Sequence, residues 1–155
     1  MINGTTIRCW RRQGHGSQSF LEVVQNSCNP GFIELGQRIG KKKLFEYIKS
    51  FGFGEKTGID LAGEGKGILF PLERVGPVEL ATTSFGQGVS VTPIQQVAAI
   101  SAAINGGTLY TPYIAKELID PATGEVVMRN SPKAKRKVIS EKTSREIRYA
   151  LETVV

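Results

Sequence analysis

The pentapeptide Asn26–Pro30, "NSCNP", places a hydroxyl and a carboxamide two residues apart at a break between two helical patterns. A hydroxyl held at a rigid corner can pass a proton between neighbouring groups, and a carboxamide beside it can hold a carbonyl or amide of a bound chain. Ser27 and Asn29 are therefore the candidate catalytic pair. The simpler alternative is structural, because Ser and Asn at the start of a helix satisfy free backbone N–H groups without taking part in any reaction. The tripeptide alone favours that alternative, so the choice rests on the surrounding sequence.

The elements that must hold this corner are legible from caps and periodicity. "SFLE" at Ser19–Glu22 is a capping box that opens a helix, with Leu21, Val24 and Cys28 at helical spacing. That helix should stop at Asn29, since Pro30 disfavours helical geometry in the residue before it. Pro30 also suits the first turn of a new helix with Asn29 as its cap, running to Ile39 and stopped by Gly40. A third helix over Lys41–Ser50 offers Leu44, Phe45 and Ile48 to the core. Residues 55–74 read as a long surface loop rich in Gly. Thr92, Pro93 and Gln95 then cap the helix containing "VAAISAAI", whose small residues predict burial on close packing, and Asn105–Gly107 end it. Segments 109–119 and 125–128 flank "DPATG" as a hairpin. Ser140 caps a last helix, the 16 residues before Ser17 read as irregular or extended, and no internal repeat is visible.

The chain has 155 residues, 40% of them hydrophobic, which is enough for one globular domain. No run approaches the roughly 18 apolar residues of a bilayer crossing, so the chain reads as soluble. Met1 opens onto polar sequence and Val155 falls inside an amphipathic pattern, so the expectation is an excised segment of a larger protein. A net charge of +6 permits acidic partners but selects none. The densest basic run, Lys133–Lys137 ("KAKRK"), lacks interleaved aromatics and reads as a solvated loop, which argues against nucleic acid as a partner. With two cysteines, one histidine and no CxxC, no metal site is expected, and His15 reads as structural.

The succession "CW", "GHG", "SCNP", "LGQRIG", "FGFGEKTGIDL", "FGQGVSVTPIQ" and "INGG" resembles the transpeptidase domain of class B penicillin-binding proteins over roughly residues 7–155. The wording of residues 8–20 and 72–117 is particularly similar to the sporulation type within that family. The resemblance implies three motifs, namely Ser-x-x-Lys with the acylated serine, Ser-x-Asn, and Lys-Thr/Ser-Gly on a strand. Only the middle one is present, as Ser27 and Asn29, because no Ser or Thr here has a lysine three residues later. "EKTG" at Glu55–Gly58 imitates the third motif but falls in the family's "TGIDL" loop, so Lys56, Thr57 and Gly58 are not assigned to catalysis. "GQG" at Gly86–Gly88 and the helix after Thr92 are read as scaffold behind the site.

What the resemblance implies follows directly. The parent would be a peptidoglycan D,D-transpeptidase acting on stem peptides in spore cortex synthesis and trapped by beta-lactams, with no cofactor. It would work at the extracytoplasmic face of the cell membrane, anchored by a segment absent here, with membrane-bound cell-wall synthesis proteins as partners. The fold would be α+β, a helix-rich part of the serine beta-lactamase-like transpeptidase fold with one or two β-hairpins. Residues 1–155 would form a partial domain, inactive alone, with the central sheet and the other two motifs outside it. An exposed apolar face and self-association are expected of such a piece. In that oxidising compartment a Cys9–Cys28 disulfide would close a loop worth on the order of 3 kcal/mol, and tethering Ser27 would make activity depend on a reductant. Two free thiols are the equal alternative. A non-catalytic extracytoplasmic interaction module, with Ser27 and Asn29 merely capping, is the rival function.

Overall fold

A computed structural model describes residues 2–154. Its first helix, α1 (Phe20–Gln25), begins at the Ser19 capping box, where the Ser19 N–H donates to the Glu22 carboxylate at 2.7 Å. That bond holds the Glu22 carboxyl below its ordinary value. Helix α1 ends at Gln25 rather than Asn29, and Val23 is its buried residue. Helices α2 (Asn29–Ile39) and α3 (Lys41–Ser50) follow, separated only by Gly40 at φ 79°. The N-cap of α2 is Cys28, which makes no side-chain bond, so Asn29 is the first helical residue and is not the cap.

Helix α4 (Pro77–Ser84) was not anticipated from the sequence, although Pro77 at its first position and the Glu79 carboxylate on the Gly76 N–H at 2.9 Å mark its start. It packs on α2. Gly36 makes the crossing close, because a Cβ at that position would overlap the Ser84 side chain. Helix α5 (Pro93–Ile104) has the predicted bounds and capping box. Its burial is one-sided, with Gln95, Ala99 and Ala102 inside while Val97 and Ile100 stay 60% and 50% exposed. Val97, Ile100 and Ile104 form an outward apolar stripe at helical spacing, so the burial expected of this helix holds for one face only.

Among the described residues, four short strands form two separate two-stranded antiparallel sheets. Strand β2 (Glu117–Ile119) pairs with β3 (Val126–Arg129) as the predicted "DPATG" hairpin. Strand β1 (Thr108–Thr111) lies outside that hairpin and pairs with β4 (Lys133–Lys137), so the basic run is a strand and not a solvated loop. The reason is a bulge. Leu109 faces Arg136 while Tyr110 faces Ala134, which leaves Lys135 as the extra residue on β4. A bulge turns its neighbours out of strict alternation, and Lys135 and Arg136 both reach the Glu55 carboxylate. Arg136 also donates to the Ser50 carbonyl at 2.8 Å, tying β4 to the end of α3. Partial burial alone would raise Glu55, but its bonds to Arg136 and Lys135 outweigh that and hold its carboxyl below the usual range.

The last helix, α6 (Glu141–Glu152), packs on α5 through Ser144, whose hydroxyl donates to the Ala103 carbonyl at 2.7 Å and accepts from Gly106 N–H at 3.0 Å. Between α3 and α4 the long loop is organised by side chains instead of by a core. Asp60 accepts from the Ile114 and Ala115 amides at 2.8 and 2.9 Å. Gln95 donates to the Glu55 and Lys66 carbonyls at 2.7 and 2.9 Å.

Two outcomes are expected. Gly36→Ala should cost about 1–3 kcal/mol in denaturant unfolding by overpacking the α2–α4 crossing, with part restored when Ser84→Gly is added. The Ile114 and Ala115 amides hold the Asp60 carboxyl below its ordinary 3.8, so its contribution is complete above that value and is lost as pH falls through the lower folded value. The protection of amides 114 and 115 relative to their intrinsic exchange rates should therefore fall in acid, and Asp60→Asn should abolish that dependence of protection on pH.

Candidate functional site

Ser27 sits at the reversal between α1 and α2 with φ 46°. Among the described residues only Asn3 shares a positive φ without being glycine. A left-handed serine is strained by roughly 1–2 kcal/mol, and such strain concentrates where a side chain must be aimed. The reversal is fixed by backbone bonds: Ser27 N–H donates to the Val24 carbonyl and Cys28 N–H to the Val23 carbonyl, both at 3.1 Å. The Cys28 carbonyl then accepts from Phe32 N–H at 3.0 Å and opens α2.

This turn sorts three consecutive side chains. Ser27 is exposed, Cys28 is 4% exposed, and Asn29 is half-buried. Ser27 and Asn29 line one shallow pocket of about 170 Å³ together with Phe32, Ser84 and Phe85. The floor of the pocket thus comes from α2 and from the end of α4, directly ahead of the Gly86–Gly88 turn. The two sequence-selected residues share a groove and face solvent.

The N-terminal segment laces this corner from outside. Trp10 Nε1–H donates to the Asn26 carbonyl at 2.9 Å, and Asn29 Nδ2–H reaches the Arg8 carbonyl at 3.4 Å. The second bond is long, so the Asn29 amide is weakly held and free to exchange partners. Gly31 allows α2 to approach α1, since a Cβ there would lie 2.6 Å from the Val23 Cγ2.

Both cysteines are free thiols in this structure. His15 has a partner after all, with Cys9 Sγ 3.3 Å from its Nδ1. That contact was not visible from spacing, because it depends on a "GHG" turn that folds the segment back on itself. "EKTG" is kept apart from the Ser27 pocket. Thr57 is buried at 7% exposure, and the Glu64 carboxylate accepts from its hydroxyl and, at 2.7 Å, from its backbone N–H. Its hydroxyl is therefore consumed by the loop.

The family model for the penicillin binding protein transpeptidase domain matches residues 1–155. The chain belongs to the penicillin-binding protein transpeptidase family. It is 75% identical over 154 residues to stage V sporulation protein D of Bacillus subtilis, covering 99% of this chain and 24% of that protein. It is 32% identical over 154 residues to penicillin-binding protein PbpB of Mycolicibacterium smegmatis, again covering 24% of the relative. Apo penicillin-binding protein 3 of Mycobacterium tuberculosis superposes with a TM-score of 0.89 at 28% identity, over 99% of this chain and 34% of that one. Its complex with aztreonam superposes at 0.80, with 29% identity over 88% of this chain and 30% of that one. The chain thus spans about a quarter of the length of these curated relatives, and the α+β, helix-rich piece of a transpeptidase fold is the architecture found.

Relief of strain tests the corner. Ser27→Gly should stabilise the chain by about 1 kcal/mol, since glycine enters the left-handed region without cost, whereas Ser27→Ala should leave stability nearly unchanged. Thermal and denaturant unfolding of the two variants measure the difference.

Proposed function

We propose that this chain supplies the Ser-x-Asn corner of a peptidoglycan D,D-transpeptidase, within a longer protein that contributes the Ser-x-x-Lys nucleophile and the Lys-Thr-Gly strand. The observation that carries the reading is the left-handed turn at Ser27, which presents its hydroxyl beside Asn29 in a solvent-facing groove. A mere helix cap needs no such strain, and Asn29 does not occupy the cap position. Family membership and the 75% identity to stage V sporulation protein D support the same assignment and a role in spore cortex synthesis.

In this reading the parent's serine attacks the carbonyl of a D-alanyl-D-alanine stem peptide, releases the terminal D-alanine, and passes the acyl group to an amine of a neighbouring strand. Ser27 relays protons between the parent's lysines and the departing or attacking amine. Asn29 exchanges its long bond to Arg8 for a bond to the donor peptide backbone. Beta-lactams acylate the same serine, in keeping with the aztreonam and ampicillin complexes of penicillin-binding protein 3. The protein works at the extracytoplasmic face of the membrane, held by a segment outside this chain and alongside other wall-synthesis proteins. The 155 residues alone do not acylate, and the outward stripe on α5 favours their self-association.

The test is labelled-penicillin acylation of the full-length protein carrying this chain. Ser27→Ala and Asn29→Ala should each slow acylation by roughly 10²–10⁴-fold, while Lys56→Ala should leave it unchanged. Wild-type rates in Ser27→Ala would overturn the assignment and favour a docking module.

A further inference from the structure

Three groups with no part in the chemistry above converge behind the Ser27 corner. Cys9, His15 and Cys28 each offer one ligand atom, and these atoms all lie within 4.8 Å of one another. The closest pair is Cys9 Sγ and His15 Nδ1 at 3.3 Å. Trp10 packs edge-on against the His15 ring, with centroids 5.5 Å apart and planes at 62°, and so restricts its orientation. The three residues line a cleft of about 470 Å³ that also includes Glu34 and Gly31.

Thiolate sulfur binds Zn²⁺ at about 2.3 Å and imidazole nitrogen at about 2.0–2.1 Å, so two ligand atoms of a tetrahedral site stand roughly 3.5–3.8 Å apart. The longest separation in the triangle needs to shrink by about 1.3 Å at most to enclose an ion, and the Cys9–His15 pair already stands close to the required distance. Two thiolates and an imidazole select a thiophilic cation over Mg²⁺ or Ca²⁺, which take oxygen ligands. Hence we propose that Cys9, His15 and Cys28 form a binding site for a thiophilic divalent cation of the Zn²⁺ type, with the fourth coordination position open to the cleft. On binding, the two thiols release their protons to solvent and the ion sheds water for two S⁻ ligands and one neutral imidazole nitrogen. The sequence alone argued against such a site, because no CxxC or second histidine announces it.

The placement gives the ion a positioning role. Cys28 stands between Ser27 and Asn29, so the ion would clamp the N-terminal segment to that turn. It would add a covalent-strength tie to the Trp10–Asn26 and Asn29–Arg8 hydrogen bonds already there. This inference is independent of the transpeptidase reading, since its test does not involve acylation.

The test uses the full-length protein carrying this chain, reduced with a phosphine and stripped by chelator, then titrated with Co²⁺ and displaced with Zn²⁺. One equivalent of Co²⁺ should produce tetrahedral d–d bands and thiolate-to-metal charge transfer in the near ultraviolet, both bleached by one equivalent of Zn²⁺. Cys9→Ser should halve the charge-transfer band and weaken Zn²⁺ binding by at least about tenfold. His15→Ala should weaken binding similarly with the full charge-transfer band retained. Cys9→His should keep the tetrahedral d–d bands with half the charge transfer, a result that a loss of folding would not produce. A Co²⁺ spectrum like that of the free ion would overturn the proposal, whether or not far-ultraviolet circular dichroism shows helix. So would Zn²⁺ affinity unaltered by these variants, or a Cys9–Cys28 disulfide that forms equally fast with and without bound Zn²⁺.

Discussion

One backbone reversal organises this part of the molecule. Between α1 and α2 the chain has three residues in which to turn, and it does so by carrying Ser27 into the left-handed region. That conformation lets the Ser27 and Cys28 amides return to the last turn of α1 while the Cys28 carbonyl begins α2. The side chains consequently leave in different directions. The hydroxyl goes outward, the sulfur turns toward Cys9 and His15 of the N-terminal segment, and the carboxamide joins the hydroxyl at the pocket rim. The unfavourable φ is tolerated because the bonds on both sides determine the path of the chain.

The corner would be of little use if its walls were loose. Gly31 and Gly36 allow backbone-close packing of α2 on α1 and on α4, so Ser84 and Phe85 arrive as the opposite wall of the pocket. The N-terminal segment, which has almost no secondary structure, is held to the turn by the Trp10 indole and the Arg8 carbonyl. Its order comes from side chains reaching backbone, and the proximity of Cys9, His15 and Cys28 is a product of the same folding back.

Farther from the pocket, the carboxylates and amides in and around the glycine-rich loop do the work that a hydrophobic core does elsewhere. Glu55 gathers Lys135 and Arg136 from β4, Asp60 holds the 114–115 backbone, Glu64 closes on Thr57, and Gln95 spans two loop carbonyls from the buried side of α5. Each is a polar group satisfied at a specific place, which gives a segment poor in apolar residues a definite path. The apolar stripe of α5 on the outer side lacks such a partner among the described residues.

Local chemistry made much of this readable in advance. Capping boxes at Ser19 and Thr92, Gly40 between α2 and α3, and the "DPATG" turn act within a few residues, so α1, α2, α3, α5, α6 and the β2–β3 hairpin could be placed from the chain alone, as could the Ser27 and Asn29 pair. The strand character of "KAKRK" and the pairing of β1 with β4 depended on groups distant in sequence: Lys135 meets Glu55 across 80 residues and Arg136 meets it across 81. The end of α1 at Gln25 was decided by a serine entering a region of backbone space that residue type does not announce. Short-range hydrogen bonds and steric rules are written in neighbouring residues, whereas long-range charge pairing and strained turns exist only once the rest of the chain is in place to hold them.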